Sequence, residues 1–486
     1  MSTEIKTLRP QPVWSYFYDL TQIPRPTGHM DEVTKYVMDC GRALGLETKQ
    51  DAVGNVLICK PAAKGYEQRP VVVMQAHLDM VPQSNKDITH DFTKDPIDAF
   101  IDGEWVKARH TTLGADNGIG VALMLAILSD NTLKHGPLEA LFTVNEEVGM
   151  DGAFGLKPDF LKGRILLNCD SEEEGELFAG CAGGTDLNIT FQYKKGAPLI
   201  EGDVAVKITL DGLKGGHSGV DIHLGRANAH KLLFRFLKEA IRDYGARVAC
   251  IEGGTARNAI PREAVAVITL PDENVEPLWE LVADYQELYR NEYAGIEMEI
   301  NLKAEMTGQP ACLIPEEVQD DLVNAMVGCQ NGVISMLHDF PDTVESSSNL
   351  AIVKVSKGMI EIKILARSSS ESRKEALCSS LESVFSMAGA KVEYGNSYGG
   401  WQPNVQSPIL KTMQDTYLGL YGRKPSVKVI HAGLECGIIQ AVYPDMDMIS
   451  FGPDLIHPHS PDEAVKIESV EKVWKFLVAV LEKIQP

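Results

Sequence analysis

Between residues 27 and 45, apolar side chains at Val33, Val37 and Leu44 recur at helical spacing, and Gly45 closes the pattern. Short apolar runs follow at residues 55–59, 71–75, 138–144 and 165–168, with a helix-length run at 117–129 between the second and third. Strands this apolar, alternating with helices, predict a mostly parallel sheet covered on both faces. The texture changes after about Asp186. Residues 204–210 alternate with period two, 226–244 read as a long helix, 247–251 and 264–270 as strands, and 276–293 as a helix. A similar series occupies 349–394, with strands at 351–355 and 359–366, a helix at 370–388 and a strand at 391–394. Strand-helix-strand units with hairpins predict an α+β insert and point to a duplication within it. A buried strand at 446–451 and a closing helix at 466–484 restore the first texture. The expected fold is therefore α/β, with a discontinuous domain at 1–186 and 398–486 interrupted by an α+β domain at 187–397.

The chain's 486 residues exceed a comfortable single core, in keeping with two domains. The longest apolar helical run, 121–128, is far short of a membrane span. The first residues lack a basic stretch followed by an apolar core, so no signal peptide is expected. Nine cysteines scattered from Cys40 to Cys436, without a Cys-x-x-Cys pair, point to reduced thiols in a cytoplasmic enzyme. The 46 basic and 68 acidic residues leave a charge of −22, which argues against a nucleic-acid partner.

Four segments end in side chains that bind metals. The run at 71–76 leads into His77-Leu78-Asp79, the one at 141–145 into Glu146-Glu147, and the one at 165–169 into Asp170. Asp116, in Gly114-Ala115-Asp116-Asn117-Gly118, directly precedes a helix. Ligands gather at the carboxyl ends of strands in open α/β sheets, so these tips can converge. Imidazole and carboxylate without thiolate suit zinc, with manganese or cobalt as substitutes. Singly, an acid at a strand end serves as readily in a turn or cap. The Glu146-Glu147 pair says more, because adjacent carboxylates ending an apolar strand repel unless a cation requires them.

The ordered motifs His-x-Asp, Gly-Ala-Asp-Asn-Gly, Glu-Glu, Cys-Asp and a late His resemble the co-catalytic zinc exopeptidase family of aminoacylases, desuccinylases, peptidase T and carnosinases. The resemblance extends through Gly215-Gly216-His217-Ser218-Gly219, residues 257–262 and Pro458-His459-Ser460-Pro461-Asp462-Glu463. It implies a catalytic domain with an inserted lid, a cytoplasmic homodimer, two zinc ions per chain, and a small peptide substrate. The implied reaction is hydrolysis of unblocked dipeptides, Xaa-His (carnosine-like) preferred. An N-acyl amino acid hydrolase or tripeptidase on the same scaffold is the near alternative; a silent binding protein would have no use for Glu146. By position, His77 and Asp170 would hold one ion, Glu147 and His459 the other, and Asp116 would bridge them. Asp79 would orient His77, and Glu146 would be the general base. The family's spacing of a histidine four residues before a glutamate, here Glu463, points to His459 rather than His457. His217 reads on its own as a turn residue; the resemblance makes it an oxyanion donor. Asn258 would contact substrate, and Arg367 would pair with a free C-terminal carboxylate. In the segment 431–437, Gly433 would let backbone approach substrate, while His431 and Glu435 would either touch it or serve in capping and core hydrogen bonds.

Overall fold

The computed structural model describes residues 3–356 and 358–485. They form two compact units: Met1–Cys181, Trp401–Val429 and Leu434–Pro486 make the first, Ala182–Gly400 and Ile430–Gly433 the second.

The first unit is built on an eight-stranded sheet. Its order is Glu47–Gln50, Val56–Lys60, Leu138–Thr143, Val72–His77, Ile165–Asn168, Asp447–Ser450, Glu176–Cys181 and Ser426–Ile430. The four strands from Leu138–Thr143 to Asp447–Ser450 are mutually parallel, whereas the first three pair antiparallel, as does Glu176–Cys181 with its neighbour. Parallel pairing thus runs through the centre, and at the far edge Ser426–Ile430 runs alongside Glu176–Cys181 in the same direction, with Ser426 N bonded to the Gly175 carbonyl and Ala182 N to that of Ile430. Asp447–Ser450 joins beside Ile165–Asn168, so the two ends of the chain share one sheet and one core, from Trp14 and Phe17 to Phe476 and Leu481.

The helix Ala115–Ser129 is buried along its whole length from Asn117 to Leu128, which is why its sequence lacks a polar face. Its last carbonyls are capped by a buried ammonium: Lys60 Nζ donates to the carbonyls of Ile127 (2.9 Å), Leu128 (3.0 Å) and Asp130 (2.6 Å). A separate antiparallel sheet of Leu455–Ile456, Ala464–Lys466, Trp105–Ala108 and Ala99–Asp102 frames the loop carrying His459. These strands are too short to show in the hydrophobic pattern.

The second unit's main sheet is antiparallel, in the order Asn301–Met306, Asp203–Asp211, Ala264–Pro271, Arg247–Gly253, Val344–Ser356, Met359–Ser368, Gly183–Gln192 and Lys391–Tyr398. Its two halves have the same topology. Asp203–Asp211, helix Ala229–Tyr244, Arg247–Gly253, Ala264–Pro271, helix Val275–Glu292 and Asn301–Met306 form one series. Gly183–Gln192, helix Glu316–Gly328, Val344–Ser356, Met359–Ser368, helix Glu371–Met387 and Lys391–Tyr398 form the other. The first series lies in the chain between the opening strand and first helix of the second. The halves join where Arg247–Gly253 pairs with Val344–Ser356.

Candidate active site

Three strand tips and two loops of the first unit bring the metal-compatible side chains together. The two oxygens of Asp116 face different imidazoles: Oδ1 lies 3.0 Å from His77 Nε2, and Oδ2 lies 3.1 Å from His459 Nε2. Asp170 Oδ1 is 3.4 Å from the same nitrogen of His77, and Glu147 Oε2 is 3.0 Å from that of His459. The groups therefore sort into His77 with Asp170 and His459 with Glu147, with Asp116 common to both. His457 is exposed and stands outside the cluster. Asn145 and His459 have φ of 54° and 60°, uncommon for non-glycine residues, at the turns that deliver Glu146-Glu147 and the late imidazole.

Asp79 organises this cluster from behind. His77 Nδ1 donates to the Asp79 carbonyl at 3.1 Å, which fixes the ring so that Nε2 faces Asp116 and Asp170. The Asp79 carboxylate accepts from Glu146 N (3.0 Å), Glu147 N (3.2 Å) and the Thr27 hydroxyl (2.9 Å). Burial alone would raise this carboxyl, but His77 and these donors outweigh it and hold it at about 2.

Two further residues secure the ligand loops. Glu463 Oε2 accepts from Leu113 N (2.8 Å) and Gly114 N (3.0 Å), and Oε1 accepts from Ala115 N (2.7 Å) and Asp116 N (3.3 Å). Buried Arg25 donates to the carbonyls of Leu78 (2.9 Å) and Asp79 (3.1 Å), and also to that of Gly114. In the sequence Glu463 serves only as a spacing marker, and Arg25 shows nothing beyond its place between Pro24 and Pro26.

The charge pattern fits cations. Burial and the neighbouring acids push Asp170 up to about 6, despite His77. Glu146 is raised well above the ordinary range, first by burial and then by Asp170, Glu435 and Glu147. His459, hydrogen-bonded to Asp116 and Glu147, is pushed up to about 11. Glu147 Oε1 is buried without a hydrogen-bond partner. Four crowded carboxyls, two imidazoles and an orphaned oxygen are a donor set suited to divalent ions.

The candidate substrate groups lie in the second unit. His217 sits on the two-residue strand Gly216–His217, paired with Ala259–Ile260. The turn before it needs glycine, with φ of 66° at Gly215 and 138° at Gly216. His217 Nδ1 accepts from Gly219 N (3.1 Å) and Val220 N (3.0 Å). Burial and Arg367 depress its pKa, so the ring is neutral with its proton on Nε2, a ready donor. The exposed Asn258 steadies this loop through its carbonyl, which accepts from Ser218 N at 2.8 Å. Arg367 is 4% exposed; Nη1 donates to Tyr398 Oη at 2.9 Å, and Nε is buried with no partner. Its charge acts on the carboxyl of Asp186. Ser347, opposite Arg367 in the strand register, is 2.7 Å from His431 Nε2. Gly433 ends the four-residue stretch Ile430–Gly433 that belongs to this unit, a segment too short to be read as a separate excursion from sequence.

Residues 73–483 match Peptidase family M20/M25/M40. The chain belongs to this family. The M20 peptidase is 46% identical over 482 residues to the cytosol non-specific dipeptidase of Escherichia coli, covering 99% of each chain. The crystal structure of aminoacylhistidine dipeptidase from Vibrio alginolyticus matches with a TM-score of 0.93 at 46% identity, covering 99% of this chain and 98% of that one. Aminopeptidase PepT from Bacillus cereus shares the fold, with a TM-score of 0.58 at 16% identity over 98% of this chain and 99% of that one. The chain is thus a metal-dependent peptidase, and no helix among its described residues is long and apolar enough to cross a membrane.

Proposed function

We propose that this M20 peptidase hydrolyses unblocked dipeptides in the cytoplasm, with Xaa-His substrates preferred, using two zinc ions per chain that cobalt or manganese can replace. The observation that carries the reading is the sorting of His77 with Asp170 and His459 with Glu147 about the two oxygens of Asp116. The names of the Escherichia coli and Vibrio alginolyticus relatives support the substrate class and compartment. The work of the two units follows from this reading: the first is the catalytic domain and the second the inserted lid that recognises substrate.

His77, Asp170, Asp116, Glu147 and His459 would hold the divalent ions, which when bound would supply polarisation of the scissile carbonyl and a water that ionises near neutral pH. Glu146, lifted above the ordinary carboxyl range by burial and its acidic neighbours, takes the proton of the attacking water and returns it to the leaving amine. Asp79 keeps the Nε2 of His77 available and fixes the backbone of Glu146 and Glu147. His217 Nε2–H donates to the oxygen that becomes negative, and Asn258 adds a second polar contact. Arg367 receives the C-terminal carboxylate, which supplies the acceptor its buried Nε lacks. Gly433 offers backbone to the substrate. The resemblance further supports a homodimer, which sedimentation of the purified protein tests. The mechanism is tested by Glu146→Ala: zinc content stays at the wild-type level while turnover falls by a factor of about 10² or more. Wild-type turnover in that variant removes Glu146 as the base.

A further inference from the structure

Beneath the ligands lies a second polar layer. Side chains alternate along a strand, so Gln75 shares a face with His77, one pleat deeper, and Asn168 stands in the same relation to Asp170. Gln75 and Asn168 are register partners, as are His77 and Thr143. Asn168 Nδ2 donates to Gln75 Oε1 (2.5 Å), and Gln75 Nε2 donates to Thr143 Oγ1 (3.1 Å). Both Gln75 Nε2 (2.6 Å) and the Thr143 hydroxyl (2.7 Å) then donate to a single oxygen of Glu435, Oε2.

Glu435 differs from the other buried acids of the first unit. Asp79 and Glu463 are each surrounded by backbone N–H donors, and Glu139 accepts from Lys162 N and Gly163 N. Glu435 is 0% exposed, has only neutral side-chain donors on Oε2, and has none on Oε1. Of its charged neighbours, His77 favours the carboxylate when protonated, while Asp170 and Asp79 oppose it. A buried carboxylate is costly unless a cation compensates it. A cation held by His77 and Asp170, one layer above, would do so.

We infer that Glu435 is a positioning residue for the metal pair, adding negative charge from below the ligand layer and anchoring, through Gln75 and Thr143, the strand tips that lead to His77 and Glu146-Glu147. The inference rests on the proposal that the cluster above holds divalent ions. It gives Glu435 a charge-balancing task, in place of substrate contact or simple capping of the helix Glu435–Val442.

The test uses chelator-stripped full-length protein, titrated with zinc against a chromophoric competitor, with Tm recorded before zinc is added. Glu435→Gln keeps the volume and an oxygen acceptor for Gln75 and Thr143 while removing the charge. The expected result is a fall in zinc affinity of roughly ten- to a hundredfold, with the zinc-free Tm unchanged or raised. Glu435→Asp retains the charge and should bind zinc more tightly than the Gln variant. Unchanged zinc affinity with a lowered zinc-free Tm makes Glu435 merely structural and overturns the inference, as does an Asp variant no better than Gln. Wild-type protein that binds no zinc overturns the metal reading itself, a failure recognisable without either variant.

Discussion

Glu463→Gln tests how a residue near the chain's end controls a loop some 350 positions earlier. Each carboxylate oxygen accepts two backbone N–H groups from residues 113–116, at 2.7 to 3.3 Å. The substitution turns one oxygen into an NH2 group that faces two donors, so two of the four bonds are lost and two buried N–H groups lose their acceptor. A hydrogen bond to a charged acceptor contributes about 1.5–3 kcal/mol, and partial relaxation of the loop recovers some of the loss, so the expected cost is about 3 kcal/mol. Urea unfolding of chelator-stripped protein measures it. Because this loop delivers Asp116, whose oxygens face both imidazoles, a zinc titration should show both binding steps weakened together. Stability within about 0.5 kcal/mol of wild type, or weakening of only one step, would show that Glu463 does not hold this loop for both ions.

Arg367→Gln should raise KM for dipeptides by at least about tenfold, the value of one charge-assisted contact, while zinc content is unchanged. The penalty should largely vanish for C-terminally amidated dipeptides; an equal penalty on both would show that Arg367 does not read the carboxylate. His459 gives a pH signature in stripped protein. Its pKa is raised to about 11 by Asp116 and then Glu147, so its stabilising contribution is complete below the unfolded value of about 6.5 and lost as pH rises towards about 11. The Tm of stripped protein should therefore fall from pH 7 to 10, and zinc binding at pH 7 should release protons, measured by calorimetry in buffers of different ionisation enthalpy. Zinc binding without proton release would contradict this.

The strand tips that carry His77, Glu146-Glu147 and Asp170 are legible because each apolar run stops at the ligand, and the resemblance arranges them into pairs. The antiparallel flanks of the first sheet are not, since an apolar run such as 55–59 carries no record of which neighbour it pairs with or in which direction. The helices Pro408–Tyr421 and Glu316–Gly328 also escape the pattern, as does the strand Gly183–Gln192, which opens on two glycines. Least visible are the tasks of the charges behind the site: Arg25 shows nothing in the sequence, Glu463 only marks a spacing, and the partners of Glu435 appear only when chain segments hundreds of positions apart meet. The duplication in the second unit shows in sequence only as two similar strand-helix series, and the strand order completes it, because the first series interrupts the second.

The most direct test of the whole account is a substrate panel of Xaa-His dipeptides, tripeptides and N-acetyl amino acids, run on untreated protein, after chelation, and after zinc is restored. Xaa-His dipeptides should be turned over fastest, chelation should abolish this activity, and added zinc should bring it back. Dominant turnover of N-acetyl amino acids, or dipeptidase activity that survives chelation, would contradict it.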